Sequence, residues 1–523
     1  MKLRNYAVVF GAAAALLAAC SDDDTVVIGG GGAGGAGGKS TAGAGGKSTA
    51  GAAGKSGGAG SAGADQGEGG SAGEVVGTAG EAGTPSSAGA GGEGGAAPVV
   101  ESFTVTLENV APSKAFTSSG AFDTPVGDLT TGPATPGKGY KFTVDAGRKQ
   151  KLFFATMLAA TNDLFFAPDG GGIPLYLDNG TPVTADVTSQ VYLWDAGTEL
   201  NEEPFLGQYT VGKQTAVNTG PVDTNTKVRK IGTVTEGFPF TYPAVASMIK
   251  VTVTHTTGTL FDITIDDLAT AALTTSDTAV HPLPLSAGVW AVSNGTNVLF
   301  TDQLPAPAHG LESLAEDGDP ATLRGYDTAN SGITYPASRG AWLLHEAGTK
   351  PLFTAGAKDA GKGIEAIAED GDPTTLGGNL ASLAGYITGA VFDKPVGTTT
   401  PSAILPGSKY QFSFDASPGD SLSFASMLAA TNDVFFAPQD AGIPLFDADG
   451  VAITGDVSNQ VYLWDAGTEG NEEPGIGPNT VTNQVAVNTG TAGEGKVQLL
   501  SAIATTYNYP AAQSVLKVTI STK

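Results

Sequence analysis

Two acidic side chains, Asp195 and Glu199, close a strand-like run, and Gly197 between them allows a tight turn. The run is duplicated: Gln190-Val-Tyr-Leu-Trp-Asp-Ala-Gly-Thr-Glu199 returns letter for letter at Gln460 to Glu469, so Asp465 and Glu469 form a second copy. Two carboxylates brought to one point by a short loop repel each other unless a cation or protons intervene. Asp163 is a third candidate, in Met157-Leu-Ala-Ala-Thr-Asn-Asp163, which recurs as Met427 to Asp433. Hard oxygen ligands without His or Cys select calcium or magnesium, and calcium accepts the mixed carboxylate, carbonyl and water shell that a loop can offer. The competing reading is that these residues end strands and accept bonds from backbone amides.

Other acidic groups are weaker candidates. Asn201-Glu202-Glu203-Pro204 and Asn471-Glu472-Glu473-Pro474 read as solvated loops, and Asp447-Ala-Asp449-Gly450 as a hairpin turn. That last segment lacks the later ligands and the closing glutamate of a calcium loop. Glu316-Asp317-Gly318-Asp319 and Glu369-Asp370-Gly371-Asp372 read as a helix stop followed by a turn rather than as a second ion site. For catalysis the chain offers no Gly-x-Ser-x-Gly elbow and only four scattered histidines. His345-Glu346 is not a zinc helix, since Thr349 stands where the second histidine belongs. The expectation is a non-enzyme; a carboxylate-based glycoside-acting enzyme is the least favoured alternative.

The elements that must position these acids are strands. Tyr140, Phe142 and Val144, and again Tyr410, Phe412 and Phe414, alternate at period two, with turns at Pro136-Gly137, Pro406-Gly407, Asp178-Asn179-Gly180 and Asp449-Gly450. This pattern predicts an all-β protein of two tandem antiparallel β-sandwich domains. Phe103 to Val110 matches Phe261 to Leu268 in pattern, and Tyr242 to Val253 matches Tyr509 to Ile520. If each unit opens and closes on these segments, the domains run over 100–256 and 257–523. The second then carries an internally duplicated insert at 288–320 and 340–373 (Gly288-Val-Trp-Ala with Gly340-Ala-Trp-Leu, and two copies of Ala-Glu-Asp-Gly-Asp-Pro), and the first is truncated. Leu311, Leu314 and Ala315, with Ile364, Ile367 and Ala368, suit one face of a short helix in each copy.

At the N-terminus, Lys2 and Arg4, the apolar run Ala7 to Ala18 and Leu17-Ala-Ala-Cys20 read as a lipoprotein signal peptide (1–20) with a lipobox. Cys20 is the single cysteine and stands where such proteins are cleaved and acylated. The expected location is the bacterial cell envelope, with the membrane reached through a lipid anchor at Cys20, outer membrane included. Residues 21–99 are rich in Gly, Ala and Ser and predict a disordered tether. Its Gly-Lys-Ser triplets lack the preceding glycine and the flanking strand and helix of a phosphate loop. With 52 acidic against 26 basic residues the chain repels nucleic acid and suits cations.

The run Trp-Asp-Ala-Gly-Thr-Glu, preceded by a strand and by Asn-Asp-Leu/Val-Phe-Phe-Ala-Pro, resembles the spondin domain family. Its bacterial branch shares Gly-Val-Trp-Ala-Val, Leu-Ala-Glu-Asp-Gly-Asp-Pro, Ile-Pro-Leu-Phe-Asp and Asn-Glu-Glu-Pro-Gly. The resemblance covers nearly all of 257–523 and most of 100–256. It implies a β-sandwich and one calcium ion per domain, held by Asp163, Asp195 and Glu199 in the first and by Asp433, Asp465 and Glu469 in the second. Two departures stand out: the last ligand is Glu rather than Asp, and the animal domain's disulfides are absent, which leaves calcium a larger share of the folding energy. Animal members act in cell–matrix attachment. By analogy, the expected function is adhesion through an extracellular protein or polysaccharide ligand, the rival being an envelope spacer rigidified by calcium.

Overall fold

The computed structural model describes residues 100–232 and 238–523. The signal peptide, Cys20 and the tether at 21–99 lie outside the described residues. The described chain is mostly strand with few helices, arranged in antiparallel sheets as two sandwiches. Among the described residues no helix is long and apolar enough to cross a membrane.

Alternation builds the first sandwich. In Gly139–Asp145, Tyr140, Phe142 and Val144 turn inward while Lys141 and Thr143 face solvent. This strand pairs with Leu260–Asp267, which pairs with Ile249–Thr257. The resulting sheet packs on a larger one built around Lys151–Leu158, Leu164–Pro168 and Val191–Asp195. Lys151–Leu158 is buried along nearly its whole length because both its faces are covered. Leu152, Phe154 and Leu158 meet the facing sheet, and Phe153 and Ala155 meet a helical layer. A near-continuous apolar run is what two covered faces require.

Leu311, Leu314 and Ala315 of the helix Leu311–Asp317 line that outer layer. Gly318, at φ 68°, ends the helix. Its amide bonds the Leu314 carbonyl at 3.1 Å and the Asp319 amide bonds that of Ser313 at 3.2 Å, a left-handed C-terminal cap that only glycine adopts without strain. Ile364–Asp370 repeats the arrangement with Gly371 at φ 64°. The proline after each cap opens another short helix, Ala321–Ala329 or Thr374–Asn379.

The expected boundary at 256/257 is corrected by the pairing. Ile249–Thr257 and Leu260–Asp267 are consecutive strands of one hairpin, with Val251 opposite Ile265 and Val253 opposite Ile263. Leu285–Ser293 joins the first sandwich between Ser118–Phe122 and Lys151–Leu158. Meanwhile Glu101–Asn109 lies in the second sandwich, between Lys409–Ala416 and Leu516–Thr522. The first sandwich is therefore threaded between the opening strand of the second and its remainder, which resumes at Ala337–Glu346 beside Asp420–Leu428. Of the two copies taken as an insert, 288–320 completes the first sandwich and 340–373 belongs to the second, so the first is not truncated. The matched repeats mark equivalent places in two sheets: Phe103, Val105 and Leu107, like Phe261, Ile263 and Ile265, are fully buried. Equivalence does not say which partner a strand joins.

Candidate metal centre

Cross-strand register brings the duplicated acids together. Leu164 stands opposite Asp195 and Val434 opposite Asp465, so Asp163 and Asp433, one residue before those strands, lie beside the acid that ends the neighbouring strand. Gly197 and Gly467, both at φ 68°, then turn the chain back. A Cβ on Gly467 would stand 2.2 Å from the Lys496 carbonyl oxygen, so the turn needs glycine for space as well as for conformation. The turn points the Thr198 and Glu199 amides at Asp163 Oδ2, each at 3.3 Å, and the Glu469 amide at Asp433 Oδ2 at 3.1 Å.

The remaining contacts repeat closely. Asp195 Oδ1 accepts the Gly197 amide at 2.7 Å, and its Oδ2 accepts Asn201 Nδ2 at 2.6 Å. Asp465 is held in the same way by Gly467 and Asn471. Glu199 Oε1 and Glu469 Oε1 each accept a glycine amide, from Gly220 and Gly490, at 2.7 Å. Asn162 and Asn432 reach the other oxygen of each glutamate at 3.5 and 3.3 Å.

All six predicted acids are thus buried in two equivalent clusters, and their amide contacts are those expected of turn residues. Among the described residues no three His, Cys, Asp or Glu side chains stand close enough to grip an ion as arranged. What sets these carboxylates apart from ordinary turn acids is unused capacity. Asp163 Oδ1 and Asp433 Oδ1 are buried without a hydrogen-bond partner, a costly condition for a polar atom. Calcium's taste for carboxylate oxygen suits these groups.

Two further acids, Glu316 and Glu369, read from the sequence as part of a helix stop rather than of these centres, are the penultimate residues of the helices Leu311–Asp317 and Ile364–Asp370. They are 1% and 3% exposed, and Oε2 of each has no hydrogen bond of good geometry, the Thr198 and Thr468 hydroxyls being the polar groups beside the two carboxyls. The charges of Glu199 and Glu469 act on them, so the helical layer presents a fourth carboxylate to each centre. The helical period did not mark them, since at about 100° per residue Glu316 turns away from the face that Leu311, Leu314 and Ala315 share.

The electrostatics follow from burial. Desolvation, then the facing Asp195 or Asp465, raises Asp163 and Asp433 well above the usual carboxylate range. Burial also raises Asp195, Asp465, Glu199 and Glu469. It pushes Glu316 up to about 8 and Glu369 up to about 7, with Glu199 and Glu469 adding to the effect. Without a cation, burial therefore favours the protonated form of these acids.

The centres differ at one strand position. Arg229 stands opposite Asp195, and Gln498 stands opposite Asp465. The Arg229 guanidinium is 3.0 Å from Asp195 Oδ2 and 2.5 Å from Asp223 Oδ2. Among the described residues no lysine or arginine lies within ion-pair distance of Asp433, Asp465, Glu469 or Glu369.

The weaker acidic segments have structural partners. Glu202 accepts the Tyr209 amide at 2.6 Å, and Glu203 accepts the Ser276 amide at 2.5 Å. Asp447 Oδ1 accepts the Asp449 and Val451 amides at 3.0 and 2.9 Å, as a hairpin turn requires. No family model matches the chain, and no curated protein matches it.

Proposed function

We propose that this is a calcium-binding, non-catalytic lipoprotein of the bacterial cell envelope, tethered through Cys20, whose two spondin-like sandwiches serve adhesion or the binding of an extracellular protein or polysaccharide. Asp163, Asp195 and Glu199 would hold one ion, and Asp433, Asp465 and Glu469 the other. One observation carries the metal assignment: each centre buries four carboxylates, and two of the four have an oxygen without a hydrogen bond of good geometry. A divalent cation satisfies those oxygens and removes the mutual repulsion, which protons do only in part. The lipid anchor and the envelope location rest on the lipobox and tether composition. The adhesive role rests on the resemblance alone.

A spacer stiffened by calcium is favoured by a different observation. The loop after the second centre bears on the first sandwich: Gln150 Nε2 donates to the Gly475 carbonyl at 3.0 Å, and Arg148 Nη1 to that of Pro478 at 3.1 Å. That loop is also held to the second centre through Asn471 and Asp465. The two readings part in a screen of the chain against polysaccharides, matrix proteins and whole cells, with calcium and with chelator. Calcium-dependent capture of one ligand class supports adhesion. Equal, negligible capture in both conditions overturns it in favour of the spacer.

A further inference from the structure

Arg229 makes the first centre chemically unlike the second, and the consequence rests on the cation-binding reading above. We propose that the two centres take divalent cations with unequal affinity, the second tightly and the first weakly, because Arg229 already occupies part of the first.

The comparison is internal to the molecule, since the two centres share their scaffold. Both have the glycine turn at φ 68°, the amide on the second carboxylate and the asparagine six residues after Trp-Asp begins to turn. Both also present an aspartate oxygen, at Asp163 or Asp433, and a glutamate oxygen from the helical layer, at Glu316 or Glu369, that have no hydrogen bond of good geometry. These residues are at most 3% exposed.

The difference lies on the strand next to Trp194 and Trp464. Arg229, 3% exposed at its side chain, faces Asp195, whereas Gln498 faces Asp465. Asp223, three residues beyond the glycine that bonds Glu199, is replaced by Gly493 at the matching place beyond Gly490. Arg229 is firmly seated: Nη2 meets both Asp195 and Asp223, and Nη1 donates to the Asn225 and Lys227 carbonyls at 2.6 and 2.9 Å.

A carboxylate oxygen accepts two bonds through its lone pairs. Asp195 Oδ2 accepts Asn201 and is further covered by the Arg229 guanidinium at ion-pair distance, and Oδ1 accepts Gly197. Asp465 accepts the Gly467 and Asn471 bonds and has no cation against it among the described residues; its other neighbour is the Asp433 carboxyl, itself one of the groups that would hold the ion. An ion gripping Asp195 through both oxygens must displace the guanidinium, which would then be left buried with Asp223. Asp223 returns a negative charge to the neighbourhood, so the difference lies in occupied ligand positions more than in net charge.

The test is a calorimetric titration of the chelator-stripped full chain with calcium, repeated with terbium luminescence. The wild type should show two phases at least tenfold apart in affinity. Asp465→Asn should delete the tight phase and leave the weak one. Arg229→Gln with Asp223→Gly, which copies the second centre, should bring the weak phase to within about threefold of the tight one. Two equal phases in the wild type, or loss of the weak phase in Asp465→Asn, overturn the inequivalence and leave the cation reading intact. No binding of either ion by the wild type overturns both. If the double variant is misfolded by circular dichroism, Asp465→Asn alone decides which centre is tight.

Discussion

Replacing Asp433 by Asn should stabilise the chain in chelator and abolish most of the stabilisation that calcium gives. Asp433 is fully buried, its Oδ2 accepts only the Glu469 amide, its Oδ1 has no partner, and the charges of Asp465, Glu469 and Glu369 all bear on it. An asparagine keeps the acceptor for Glu469 and turns a donor toward those carboxylates. In chelator the change removes a buried polar group lacking its bond, worth about 1–3 kcal/mol. The second sandwich should then melt higher, by roughly 2–4 °C for each kcal/mol in a domain of this size. In calcium the wild type gains about 2.7 kcal/mol at one hundred times the dissociation constant, or roughly 5–11 °C, and the variant should lose most of that gain. Differential scanning calorimetry of the full chain at neutral pH, with and without calcium, reads both. A variant that melts lower in chelator by the same amount as in calcium would mark Asp433 as an ordinary structural residue and refute the reasoning.

Three further outcomes follow from the same contacts. Gly467→Ala, forced to φ 68° with its Cβ 2.2 Å from the Lys496 carbonyl oxygen, should cost at least about 2 kcal/mol in urea unfolding and weaken calcium binding; an unchanged midpoint would contradict the turn geometry. Asp267 is 2% exposed, has no partner for either oxygen, and burial pushes it up to about 8. Because the folded value lies above the unfolded one of about 3.9, stability should fall as pH rises from about 4 to about 8 and then level off; Asp267→Asn should flatten that slope and stabilise the chain at pH 9 by on the order of 1–3 kcal/mol. Leu107→Ala should cost about 2–5 kcal/mol and, by hydrogen exchange, loosen Lys409–Ala416 and Leu516–Thr522 rather than Gly139–Asp145; the reverse would contradict the threaded arrangement.

Much of the fold was legible because burial leaves a period in the sequence. Tyr140, Phe142 and Val144 declare their strand, and Gly318 and Gly371 declare where their helices stop. The boundary was not legible. The resemblance of Phe103–Val110 to Phe261–Leu268 reports the same two-faced environment, and nothing local distinguishes a strand that hairpins with its neighbour from one that pairs across an inserted domain. The six acids of the centres were legible because their spacing is duplicated. Glu316 and Glu369 read as part of a helix stop, and the fit of the helix against the sheet decides that they face the centres. Arg229 carries no motif: its meaning comes from standing opposite Asp195 in a two-residue strand, where the copy has Gln498.

Anomalous diffraction from crystals of the full chain grown in saturating calcium would locate the ions themselves. A calcium peak is expected among Asp433, Asp465 and Glu469 at about 2.3–2.6 Å from their oxygens, with a weaker or partly occupied one at Asp163, Asp195 and Glu199. Saturating calcium with no peak at either cluster, and the carboxylates still bonded only to their amides and asparagines, would contradict the assignment of both as calcium centres.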